Sequence, residues 1–253
     1  MGAALTSVTV KLRIRRTSRW QDFTVQVSRD SYVLDALEAA GVQDSSLLFR
    51  HSCHHASCGS CGLRINGREH LPCITPIEKF KNSNWALRLE PLSNFPLIGD
   101  LLVDFQSLMQ QLDLIDLPPT RSVEEQSEIQ GEKRNLERLL PFADQDVPDF
   151  SSGFNRFENC IECGLCMSAC PIVGSDPDYL GPVVLAAAGR LVAELRGRTL
   201  TELLHQIDQD HGLWRCHGVF ECTEVCPSNV DPAREIMSLR NLHLRSLKDM
   251  RRS

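Results

Sequence analysis

The cysteines of this chain constrain its fold more than any other feature. There are eleven in 253 residues, and they fall into three groups. The first is Cys53-x4-Cys58-x2-Cys61, with Cys73 after eleven intervening residues. The second is Cys160-x2-Cys163-x2-Cys166-x3-Cys170, followed by Pro171. The third is Cys216-x5-Cys222-x3-Cys226, followed by Pro227. The third group lies on the second in register, except that Val219 stands where the match to Cys163 would place a thiol.

In a run of C-x2-C-x2-C-x3-C-P, the first three cysteines wrap one cluster and the fourth ligates the neighbouring cluster. That rule assigns Cys160, Cys163, Cys166 and Cys226 to a [4Fe–4S] cluster. It leaves Cys170, Cys216 and Cys222 for a second site, which lacks a thiolate at Val219 and suits [3Fe–4S]. The first group has the plant-type spacing of a [2Fe–2S] centre, with Cys53, Cys58, Cys61 and Cys73 as ligands. The three sets use every cysteine. Structural zinc takes four ligands per ion, in separated pairs, and fits neither the x2 runs nor the total. A disulfide framework belongs to small secreted chains and does not suit an odd cysteine count in a chain of this length.

Net charge is −6, which argues against a general nucleic-acid binder. No stretch approaches the ~18 apolar residues of a membrane span; the longest candidate is Gly181–Gly189. The first ten residues show no secretory pattern, and this many reduced thiolates suit a reducing compartment. Residues 1–6 match a myristoylation pattern, a short match that is often accidental.

The expected fold class is α+β. Residues 1–105 read as a β-grasp [2Fe–2S] ferredoxin domain, and 106–253 as an all-α helical ferredoxin domain carrying [4Fe–4S] and [3Fe–4S]. Val8–Ile14 and Phe23–Val27 alternate like strands, and Ser31–Ala40 reads as a helix with Asp30 or Ser31 as its cap and Gly41 as its stop. Asn66-Gly67 marks a hairpin turn after Leu63–Ile65, and Trp85–Leu89 reads as the last strand. Residues 96–112 carry a helical apolar pattern, broken at 116–120, and 121–147 are a charged helix or solvated excursion. Helices are expected over 181–196, 200–209 and 231–248. The last is basic (Arg234, Arg240, Arg245, Lys248, Arg251, Arg252) and reads either as a core-packed helix with a solvated face or as a contact for anionic lipid or an acidic partner.

Ser57, Gly59 and Ser60 let backbone N–H groups approach the sulfurs of the first cluster. His54 and His55 read as solvated loop residues, because four cysteines already suffice, rather than as cluster ligands. No nucleophile–base pair, phosphate loop or G-x-G-x-x-G is present, so the chain has no catalytic acid or base of its own, and any flavin must sit on another subunit.

These motifs, together with Gly181-Pro182 ahead of an Ala-rich helix and Cys216-His217, resemble the iron–sulfur subunit of succinate dehydrogenase and fumarate reductase, the respiratory complex II family. The resemblance covers nearly the whole chain. It implies an electron-transfer subunit of a succinate:quinone oxidoreductase, between a flavoprotein subunit with FAD and a membrane quinone at the anchor subunits. It also implies a peripheral location on the cytoplasmic face of the inner membrane. By the same resemblance, Pro171 and His217 lie near the quinone. Gly174 and Ser175 stand where ubiquinone-type members resemble paired tryptophans, which looks more like menaquinone-using relatives. The alternatives are a subunit serving a different flavoprotein, such as a thiol-dependent fumarate reductase, and a non-catalytic iron–sulfur sensor.

Overall fold

The computed structural model describes residues 7–115, 117, 159–194 and 200–250. The pattern at residues 1–6, the charged stretch 121–147, Arg251 and Arg252 lie outside the described residues, as do the side chain of Lys248 and all of the 116–120 break except Leu117. Contacts gather the chain into two units: Met1–Phe105 with Ile161–Ala169, and Gln106–Cys160 with Cys170–Ser253. The sequence reading leaves 161–169 in the helical half, whereas its contacts are with the first unit.

The first unit is built on alternation. β1 (Ser7–Arg15) and β2 (Trp20–Ser28) pair antiparallel, from Ser7 opposite Ser28 to Arg15 opposite Trp20. Val10, Leu12 and Ile14 face inward with Phe23 and Val25, as a period of two requires. β3 (Leu63–Ile65) and β4 (Arg68–His70) are joined by Asn66 and Gly67, both at positive φ. β5 (Ala86–Glu90) runs parallel to β1 and antiparallel to β3, so the sheet order is β2-β1-β5-β3-β4.

α1 (Val33–Gln43) lays Val33, Ala36, Leu37 and Ala40 on this sheet. Each large apolar side chain so buried contributes about 1.5–3 kcal/mol. The first residue outside the helix is Tyr32, not Asp30 or Ser31: its backbone N–H donates to the Asp35 carboxylate at 2.7 Å. Nor does the helix stop at Gly41. That residue lies inside it, where a Cβ would come within 3.3 Å of the Phe49 ring, so the glycine makes room for Phe49.

Residues 96–112 are not one helix. β6 (Leu97–Gly99) and β7 (Leu102–Val103) form a hairpin, and only α2 (Gln106–Leu114) is helical. Asp100 decides this. At φ 47°, it accepts N–H bonds from Thr17 and Leu48, both at 3.0 Å, and pairs with Arg16 at 3.0 Å. Those bonds require a turn at Asp100 and outweigh the helical spacing of the neighbouring apolar residues. The segment 161–169 contributes α3 (Leu165–Ala169) to the same unit.

The second unit is helical. α4 (Pro171–Ser175) opens on a proline, whose missing N–H costs nothing at a helix start. α5 (Gly181–Glu194) buries every residue from Val183 to Ala188, as a helix enclosed on all sides must. It packs against α2, α6 (Leu200–Ile207) and α8 (Pro232–Met250), and Gly189 faces Glu235 and Leu239 of α8. α7 (Glu221–Glu224) is a single turn. Among the described residues, no helix is long and apolar enough to cross a membrane.

Candidate metal centres

None of the eleven cysteines forms a disulfide. In the first unit, the loop from Cys53 to Cys61 turns through positive φ at His54, Ala56 and Gly59. The backbone N–H groups of His55 (3.5 Å), Ser57 (3.2 Å) and Cys58 (3.4 Å) all donate to Cys53 Sγ. The bond from His55 contributes most to holding the Cys53 thiol down, at about 7. Ser60 Oγ lies 3.1 Å from Cys58 Sγ. Cys61 and Cys73 are buried side by side. Burial pushes the Cys61 thiol up to about 12; a backbone bond from Cys73 opposes this, while the charges of Cys73 and Cys58 add to it. The N–H groups thus aim at half-buried Cys53, while Cys58 is exposed and Cys61 and Cys73 lie buried, so the four sulfurs run from the surface into the unit. Four thiolates at this spacing fit a [2Fe–2S] centre.

The segment 161–169 lies against this loop. A Cβ at Gly59 would come within 2.8 Å of both the Ile161 carbonyl oxygen and Cys163 Cβ, and one at Gly62 within 2.7 Å of Leu165. Polar bonds fix it further. Ser168 Oγ donates to Glu69 at 2.7 Å and accepts the Ser93 N–H at 2.8 Å. Asn94 Nδ2 donates to the carbonyls of Met167 and Ser168 at 2.8 and 3.0 Å. Cys163 and Cys166 of the second group are half-buried in this unit, and Cys160 and Cys226 are half-buried in the other. Cys226 Sγ accepts the Val230 N–H at 3.3 Å.

In the second unit, Cys170, Cys216 and Cys222 line one small, open cavity. Its wall includes Tyr179, Pro171, His217 and Val219. Burial, then the charges of Cys170 and Cys216, push the Cys222 thiol up to about 12, and burial likewise raises Cys170. The N–H groups of Val173 and Ile172 aim at Cys170, and that of Gly218 lies 3.4 Å from Cys216 Sγ. Tyr179 is almost fully buried and its hydroxyl bonds to Cys216; burial and the nearby sulfurs hold its proton on well above the ordinary range. The donor set again suits iron, with three thiolates and an apolar valine around one space.

Sequence reasoning missed several supporting groups. Arg240 belongs to neither a lipid-facing nor a solvated basic surface. Its guanidinium donates to the carbonyls of Leu213 (2.9 and 3.2 Å) and Cys216 (2.5 Å) and lies over Trp214. It therefore fixes the loop that carries Cys216. Asp176 accepts bonds from His211 Nδ1 (3.0 Å) and Arg215 Nε (2.7 Å), tying α4 to the segment before Cys216. For Asp176, His211 and Arg215, only proximity in the chain to cysteines pointed to them. Of the loop histidines, exposed His55 turns its Nδ1 to the Cys53 carbonyl, and His54 Nε2 sits beside Glu38 and His51.

A β-grasp sheet carrying four cysteines, with a helical unit built around further cysteines, defines an iron–sulfur electron-transfer protein. Two family models match: "2Fe-2S iron-sulfur cluster binding domain" over residues 9–110 and "4Fe-4S dicluster domain" over 156–230. The fumarate reductase iron–sulfur subunit of Haemophilus influenzae is 34% identical over 81% of this chain and 76% of its own. A mitochondrial succinate dehydrogenase iron–sulfur subunit of rice is 31% identical over 88% of this chain and 75% of its own. A solved chain from the Sdh1 complex of Mycobacterium smegmatis, in the apo form, shares the fold with a TM-score of 0.72 at 24% identity, covering 93% of this chain and 95% of that one. The chain belongs to the family of iron–sulfur subunits of succinate dehydrogenase and fumarate reductase, and it binds iron–sulfur clusters.

Proposed function

We propose that this chain relays electrons between a FAD-containing subunit acting on succinate or fumarate and a membrane quinone of the menaquinone type, docked by a flavoprotein and membrane-anchor subunits on the cytoplasmic face of the inner membrane. The observation that carries the reading is the cavity shared by Cys170, Cys216, Cys222 and Val219, with Pro171 and His217 in its wall. The clusters supply one-electron storage and transfer, at potentials set by cluster type, charge and hydrogen bonds to sulfur.

The residues of the chain do the rest. Cys53, Cys58, Cys61 and Cys73 hold [2Fe–2S], and the N–H groups on Cys53 stabilise its negative charge. By the spacing rule, Cys160, Cys163, Cys166 and Cys226 hold [4Fe–4S]. Cys170, Cys216 and Cys222 hold [3Fe–4S], where Val219 withholds a fourth thiolate and so keeps the potential high, as delivery to a quinone requires. Exposed His217 donates a hydrogen bond or proton to a quinone oxygen, and exposed Pro171 provides an apolar wall. No residue acts as acid or base on the dicarboxylate.

Redox-titrated EPR of the intact complex, with succinate as reductant, tests this. The oxidised protein is expected to show a [3Fe–4S] signal, and succinate to bring up a [2Fe–2S] signal. Clusters that respond to dithionite but never to succinate would overturn the assignment.

A further inference from the structure

Glu38, His51 and His54 are absorbed by neither the fold nor the cluster sets. Glu38 projects from α1, His51 follows that helix, and His54 sits in the cluster loop. One carboxylate oxygen, Glu38 Oε1, lies 3.2 Å from His51 Nδ1 and 3.3 Å from His54 Nε2, and the two ring nitrogens are 3.1 Å apart. The three donor atoms thus form a nearly equilateral triangle. A tetrahedral zinc ion with bonds of about 2.0–2.1 Å sets its ligand atoms roughly 3.3–3.4 Å apart. The triangle's sides, 3.1, 3.2 and 3.3 Å, come close to those dimensions before any ion is added.

Hydrogen bonding satisfies two edges of this triangle and leaves the third without a proton. A single oxygen receives both imidazoles, and the two ring nitrogens still face each other. A cation over the triangle takes all three lone pairs at once. The rings are also held in place: His51 stacks on Phe49 at 5.3 Å, and His54 meets His51 edge-on at 5.2 Å. Two imidazoles and a carboxylate suit a borderline divalent cation. Three protein ligands leave a position open to water or to a donor from a partner, the arrangement of an exchangeable site rather than a closed structural one. The side chains are one-third to one-half exposed, so an ion has a way in. Among the described residues, a comparable group, Asp176, Asp178 and His211, already has Arg215 on its buried carboxylate.

We propose that Glu38, His51 and His54 form a second kind of metal site in this chain, one that binds a zinc-class divalent cation and pins the [2Fe–2S] loop to α1.

The test is calorimetric titration of the full, cluster-loaded chain with zinc sulfate, followed by zinc X-ray absorption on the one-equivalent sample. Expected is one zinc per chain, with a nitrogen/oxygen shell and imidazole scattering, and with iron content unchanged. Binding is expected to weaken at least tenfold in His51→Ala and in Glu38→Gln. Glu38 carries no cluster sulfur and the glutamine keeps its volume, so the test stands even if His51→Ala loses its cluster. Absence of binding would overturn the proposal. So would a sulfur shell, which means that zinc has taken cluster cysteines, or nitrogen/oxygen binding that survives both substitutions.

Discussion

At the level of single side chains, the proposed cluster assignment turns most sharply on Val219. It lines the cavity of Cys170, Cys216 and Cys222 and stands where the sequence register calls for a thiol. Val219→Cys is therefore expected to convert that centre to [4Fe–4S]. Its potential should fall by more than about 59 mV, a factor of ten in a one-electron equilibrium; loss of the oxidised [3Fe–4S] EPR signal checks this. The spacing alone makes this residue legible, because a repeat with one member missing exposes the exception. Arg240 and Tyr179 were not legible in the same way. Their roles depend on reaching the Cys216 loop from distant positions in the chain, and neither repeat contains them.

Among the elements, the β-grasp strands and α1 could be read from period-two and helical spacing, since each has one face on the core. The β6–β7 hairpin could not. Its apolar residues fall at helical intervals, and the bonds that override them come from Thr17 and Leu48, far off in sequence. Burial pushes the Asp100 carboxyl up, but the N–H groups of Leu48 and Thr17 and the Arg16 guanidinium outweigh it and hold the carboxyl below its ordinary 3.8. A lowered carboxylate contributes stability that is present above its unfolded value and lost as pH falls through the folded one. Thermal unfolding of Asp100→Asn should therefore fall short of the parent at neutral pH, with the gap closing as pH drops below about 4. Asp100→Ala leaves the N–H groups of Thr17 and Leu48 without their acceptor and takes away one of the two carboxylates on Arg16, which keeps Asp44, and is expected to cost roughly 1–3 kcal/mol in urea unfolding at pH 7.

Across the whole molecule, chain order and spatial grouping disagree at one place. Ile161–Ala169 follows the first unit by more than fifty residues yet packs within it, through Leu165 on Gly62, Ser168 on Glu69 and Asn94 on the carbonyls of α3. A fragment ending at Phe105 lacks these partners. It is expected to express poorly or to load little [2Fe–2S] iron, and a synthetic peptide of residues 159–170 added in trans should raise its visible absorbance. If the fragment alone fills normally, the clamp is dispensable. The clamp also bears on biosynthesis. At roughly 5–20 residues per second on the ribosome, the strands of the N-terminal ferredoxin emerge several seconds before the segment that closes over them. For that interval Gly59 and Gly62 of the nascent loop lack the cover of Ile161, Cys163 and Leu165, and the loop is expected to be most open to cluster loading while translation is still under way.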